Sequence, residues 1–152
     1  MNMIQVAPVR KAIRVNASQA HAFEVFAARF DAWWPREHHL GKAEMAAAII
    51  EPRAGGRWYE KGQDGSECEW GRVLAWEPPS RLVLSWRINS KFVPDETVES
   101  EVEVRFSPDG AGTRVELEHR IRSADAPALR DAVDSPRGWG ALLEIFAAKA
   151  SA

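Results

Sequence analysis

Two consecutive runs near the middle of the chain, TVESEVEVRF (residues 97–106) and TRVELEHRI (residues 113–121), alternate apolar and charged residues with a period of two. Val98, Val102, Val104 and Phe106 fall on one side, and Glu99, Glu101, Glu103 and Arg105 on the other. In the second run Val115, Leu117, His119 and Ile121 share a face. A two-residue period is that of an extended strand with one face covered, and the PDGAG turn between the runs makes them an antiparallel pair. The glutamate row then reads as a solvated face, its repulsion eased by Arg114 or Arg120.

The same grammar extends on both sides. From about residue 43 to residue 121, short apolar runs are separated by turn chemistry, which predicts a predominantly antiparallel sheet of about six strands. Asp64-Gly65 suits a hairpin turn needing positive φ, and Pro78-Pro79 ends the run ECEWGRVLAW because proline cannot donate to a ladder. Upstream, VRKAIRV (residues 9–15) reads as a first strand. SQAHAFEVFAARF reads as a helix capped by Ser18, with Phe23, Phe26 and Phe30 on one face. Asp31 is placed to cap a second short turn carrying Trp33 and Trp34, stopped by Pro35. Downstream, Ser135-Pro136 marks the start of a final helix in which Trp139, Leu143, Phe146 and Ala150 recur at helical spacing, with Leu142 and Ile145 widening the stripe. The order is strand, helix pair, sheet, long C-terminal helix: an α+β architecture with helices on one face of a curved sheet.

A chain of 152 residues fits one domain, taken as residues 1–152, and a formal net charge of −2 gives no global field for nucleic acid or an anionic membrane. A single cysteine, Cys68, rules out an internal disulfide framework and points to a reducing, cytoplasmic setting. No run approaches the ~20 apolar residues that span a bilayer, so membrane insertion is not expected. The sequence carries no P-loop, dinucleotide-binding glycine fingerprint, nucleophile elbow or H-E-x-x-H motif, and no cofactor is expected.

A capped helix ending in WWP, then GGRWYE, GRVLAWEPPSRLVLSW, the strand TRVELEH and GWGALLEIF in the last helix together resemble the START-like superfamily of polyketide cyclases and lipid-transport proteins. Within it the chain is similar to proteins related to the C-terminal domain of the activator of heat-shock protein 90 ATPase. The resemblance covers about residues 9–148 and implies a helix-grip (START/Bet v 1-like) fold, in which an antiparallel sheet wraps the long C-terminal helix and leaves an apolar cavity. The co-chaperone that names the family has an additional N-terminal domain, for which this chain has no room.

Seven tryptophans make aromatic surface the chain's chief resource. Most of that surface serves a core, and the remainder is available to line a hollow. The candidate cavity residues are Trp58, Glu60, Trp70, Arg72, Trp86, Val102, Val104, Leu117 and His119 on the sheet, and Trp139, Leu142, Leu143 and Phe146 on the helix. On the sheet Trp86 leads, sharing its face with Leu82, Leu84 and Ile88. Counting by twos along residues 68–76 puts Cys68, Trp70, Leu74 and Trp76 together but brings Arg72 to the same side. A bulge, burial on both faces, or an inward Arg72 paired with Glu60 would each resolve that conflict. His119 reads as a hydrogen-bonded core histidine or as a polar contact to a ligand. His38 and His39 are adjacent and lack a third ligand at metal spacing, and Cys68 reads as an inert thiol.

The first functional reading is therefore a small-molecule-binding protein holding an apolar or aromatic ligand between sheet and helix. The second is a chaperone-associated interaction module. The third is a cyclase- or hydrolase-like enzyme using Glu60, Arg72 and His119. Self-association into a homodimer through an edge strand is compatible with all three.

Overall fold

A computed structural model describes residues 3–152. Its strands are β1 (Ile4–Gln5), β2 (Val9–Val15), β3 (Met45–Ile50), β4 (Arg57–Gly62), β5 (Glu67–Glu77), β6 (Arg81–Ser85), β7 (Glu99–Asp109) and β8 (Gly112–Ser123). All neighbours pair antiparallel, in the order β1-β8-β7-β6-β5-β4-β3, with β2 also on β8. The helices are α1 (Gln19–Phe23), α2 (Phe30–Trp33), α3 (Ala126–Val133) and α4 (Trp139–Ala150), and a π-helical turn at Glu24–Ala28 joins the first two. This is the helix-grip arrangement, with α4 in the concave side of the sheet.

The alternation in β7 and β8 is realised in register: Val102 faces His119, Val104 faces Leu117 and Phe106 faces Val115, all buried. Their other face is less open than a solvated row. Glu103 is only 6% exposed, because Arg81, Arg105 and Arg120 close over it at 2.7–2.8 Å. Burial alone would raise its pKa; hydrogen bonds from Arg81, Arg120 and Arg105 outweigh that and bring it to about 2. Arg114 pairs with Glu116 instead.

β5 changes partner along its length: its first half pairs with β4 and its second half with β6. Two register shifts interrupt it. Trp58 lies opposite Gly71 while Tyr59 lies opposite Glu69, so Trp70 is the extra residue; Leu74 is extra opposite β6. Each bulge reverses the facing of the residues beyond it and bends the strand. Trp70, Gly71 and Val73 are therefore buried, while Arg72 and Leu74 point outward. Gly71 is required there, since a Cβ would lie 1.9 Å from the Ser85 carbonyl oxygen. The expected inward option for Arg72 is thus overturned by the bulge.

Several boundaries differ from the sequence reading. Ser18 does cap α1, its Oγ accepting the His21 amide at 3.2 Å. Asp31 does not cap α2; its carboxylate accepts from Arg36 at 2.6 Å and from the Ala48 amide at 2.8 Å, tying the helix pair to β3. α4 starts at Trp139 rather than at Ser135-Pro136, which form the turn before it: the Gly138 amide reaches back to the Ser135 carbonyl at 2.8 Å. Ile145 is 43% exposed and lies off the buried stripe of Trp139, Leu142, Leu143, Phe146 and Ala150. The helix α3, with Leu129 and Val133 buried, is an element that the strand-based reading passed over.

Candidate functional site: an aromatic cavity at the start of the gripped helix

The space between α4 and the sheet is filled at one end and hollow at the other. Toward the end of the helix, Phe146 packs edge-to-face on Phe26 with centroids 5.1 Å apart, and Phe106 meets Phe23 and Phe26 at 5.2 and 5.9 Å. Toward its start lies a cavity of about 530 Å³, lined by Trp34, Trp70, Trp86, Ile88, Trp139 and Leu142, with Leu40, Phe92 and Val133 also on its border. That volume is in the range of small-molecule sites. Its polar groups gather at the mouth: Glu37, His38, His39, Ser135 and Arg137.

Each of the four wall tryptophans is tied by its indole N–H. Trp34 donates to the His38 carbonyl at 3.1 Å, Trp70 to Glu60 Oε1 at 3.0 Å, Trp86 to the Ile88 carbonyl at 3.0 Å and Trp139 to His119 Nδ1 at 3.0 Å. A ring held by its edge to a fixed acceptor cannot turn freely into the empty space. The last tie belongs to a relay. Because the indole can only donate, the neutral His119 ring carries its proton on Nε2, which donates to Ser100 Oγ at 3.0 Å; that hydroxyl donates to the Trp86 carbonyl at 2.9 Å. Full burial, reinforced by the Arg120 charge, lowers the His119 pKa to about 3. Both ring nitrogens are occupied within the protein, so His119 positions Trp139 and Trp86 and presents no free nitrogen to the cavity.

Of the residues predicted from sequence, Trp70, Trp86, Trp139 and Leu142 stand on the cavity wall. Trp58 and Glu60 are buried just behind it, Trp58 with its ring 5.5 Å from Trp70 and 5.7 Å from Trp86. Val102, Val104, Leu117 and His119 form the inner face of the sheet, and Leu143 and Phe146 belong to the buried core away from the cavity lining. Arg72 is on the opposite face, its side chain half exposed and bonded to Glu69 at 3.2 Å. The Glu60–Arg72 pair therefore does not form. Glu60, 1% exposed, takes the Leu40 amide and the Trp70 indole on Oε1 and leaves Oε2 without a partner.

The mouth residues escape a reading of the sequence because they sit on loops, where no periodicity marks them; the run WWPREHHL, with polar residues directly after an aromatic pair, is the available signal. His38 is partly buried, and burial holds its pKa below the usual value, with Glu37 opposing and Arg137 reinforcing that effect. Cys68 is half-buried and its thiol pKa is raised by burial and by Glu60, which fits an inert side chain. Among the described residues no group of three or more His, Cys, Asp or Glu side chains is placed to hold a metal ion, and no helix is long and apolar enough to cross a membrane.

Residues 16–150 match the family described as Activator of Hsp90 ATPase homolog 1-like protein. The chain belongs to that family, within the START-like superfamily. Among solved structures, this family member is similar to the anthrahydroquino-γ-pyrone synthase Txn09, complexed with SUM, at 42% identity and a TM-score of 0.62 over 95% of this chain and 97% of the other. It is also similar to CalC of Micromonospora echinospora, a self-sacrificing resistance protein, at 31% identity and a TM-score of 0.69 over 95% and 94%. Mll3558 of Rhizobium loti, at 22% identity, a TM-score of 0.71 and 98% and 99% coverage, shares the fold. No curated protein sequence matches this chain.

Proposed function

We propose that this protein binds a planar, polycyclic aromatic molecule of the polyketide type in the cavity between α4 and the sheet. The observation that carries the reading is the wall itself: four tryptophans, each fixed through its indole N–H, around about 530 Å³ that opens through a polar mouth. Such a wall offers ring faces for stacking and edge contacts and few hydrogen-bonding groups in its depth, which favours flat aromatic guests over flexible polar ones. The 42% identity to an anthrahydroquino-γ-pyrone synthase supports a guest of that chemical class.

A second reading, ring formation on the bound molecule, is favoured by the synthase relative and by imidazoles at the mouth. Arg72 and His119 do not contribute to it, the first because it faces outward and the second because its nitrogens are engaged. A titration of intrinsic tryptophan fluorescence with alizarin, a dihydroxyanthraquinone, tests the binding reading. Saturable quenching with one molecule per chain is expected; a linear response without saturation would refute it.

A further inference from the structure

The segment from Trp34 to Gly41 forms one lip of the cavity, and it is pinned at three points. Trp34 holds the His38 carbonyl at 3.1 Å, buried Glu60 holds the Leu40 amide, and His39 Nδ1 lies 2.9 Å from the Gly41 carbonyl oxygen. A carbonyl oxygen only accepts, so Nδ1 is the donor and carries a proton. In the neutral ring the lone pair is then on Nε2, which has no protein partner among the described residues, on a residue that borders the cavity. A fixed tautomer with one nitrogen anchored and the other free is how an imidazole is arranged to accept a proton from a bound molecule.

We infer that His39 Nε2 is the proton acceptor for an acidic hydroxyl on the bound aromatic, so that the cavity selects phenol-bearing ligands and holds them as phenolates. This rests on the binding reading above. In the step, the ligand's O–H bond breaks and an Nε2–H bond forms; the electron pair stays on the ligand oxygen, giving a phenolate beside an imidazolium. Nothing is oxidised or reduced. The charged groups at the same mouth suit the pair: Arg137 on the turn before α4 can face the phenolate, and Glu37 the imidazolium. His38 is the other imidazole at the mouth, with the Trp34 ring 5.9 Å away, and Glu60 lies behind the lip, its Oε1 already occupied.

The neutral and ionised forms of alizarin absorb at different visible wavelengths, which gives a readout separate from binding. At a pH where the free dye is neutral, the dye bound to the wild-type protein is expected to show the red-shifted phenolate band. His39→Gln should weaken binding about tenfold, the scale of one hydrogen bond to a charged group, and at saturating dye should leave the neutral band. His38→Gln should keep the phenolate band. Unsubstituted anthraquinone should bind the wild type more weakly than alizarin and lose nothing further in His39→Gln. Quenching without a band shift would overturn the assignment while leaving aromatic binding intact, as would a phenolate band that survives in His39→Gln or disappears only in His38→Gln. Absence of saturable quenching by either compound would remove both readings together.

Discussion

The two ends of the interface between α4 and the sheet share one helix, and both are built from aromatic side chains. At the closed end, phenylalanines from α1, the π turn, β7 and α4 meet edge-to-face, with Trp33 packed against Phe26 and Phe146. At the open end, Trp34 just after α2, Trp70 of β5, Trp86 just after β6 and Trp139 of α4 stand around a hollow, each tethered by its indole N–H. Phenylalanine has no polar edge, so it moves until it touches a neighbour. Tryptophan can be stopped short by an acceptor. The contrast shows how a protein keeps a cavity without a rigid frame: the acceptors, His119, Glu60 and two backbone carbonyls, are themselves buried or fixed by the fold.

The largest expected effect separates the ends by packing. Phe146→Ala removes a ring from a filled site and should destabilise by about 4 kcal/mol in chemical denaturation; Leu142→Ala, on the cavity wall, should cost about 2 kcal/mol because its neighbours already border empty space. Equal losses would mean that the open end is packed as tightly as the closed one.

An intermediate effect concerns the relay that holds Trp139 and Trp86. His119 has a folded pKa of about 3 against 6.5 when unfolded, so between these values the unfolded chain binds the extra proton. Stability is therefore full above pH 6.5 and falls as the pH is lowered. Between pH 6.5 and 4.5, before most carboxylates titrate, the loss should reach about 2 to 3 kcal/mol. His119→Gln, less stable at neutral pH, should show a flatter profile over that window. Below it, Glu103 adds its own loss as the pH falls from 4.5 toward 2. An unchanged slope in the variant would show that His119 is not the buried neutral group.

The smallest effect tests the bulge. Arg72→Ala should change stability by less than about 0.5 kcal/mol and leave dye binding unaltered, since an exposed ion pair contributes little. A large change in affinity would return Arg72 to the cavity.

The same contrast explains how far the sequence can be read. Strands β7 and β8, the Ser18 cap and the Asp64-Gly65 turn are legible because a period of two or a local hydrogen bond dictates them. The tryptophans Trp70, Trp86 and Trp139 are legible as wall material because they lie on or beside regular elements. The facing of residues 71–74 is not, because bulges at Trp70 and Leu74 defeat counting by twos; the misplaced Arg72 is the visible symptom. The start of α4 misleads because Ser-Pro is a common helix opening, whereas Gly138, with no room for a Cβ against the Val133 carbonyl, sets the actual entry. His38, His39, Leu40, Phe92 and Arg137 come together only through the fold, from three separate loops, and no local pattern announces that meeting.

Indole N–H resonances give the most direct measurement. In a two-dimensional nitrogen–proton spectrum of the seven-tryptophan protein, added alizarin should shift the signals of Trp34, Trp70, Trp86 and Trp139 strongly and that of Trp33, bonded to the Phe26 carbonyl toward the closed end, very little. Uniform small shifts across all indoles, or the largest shift at Trp33, would contradict a guest seated among the tethered rings.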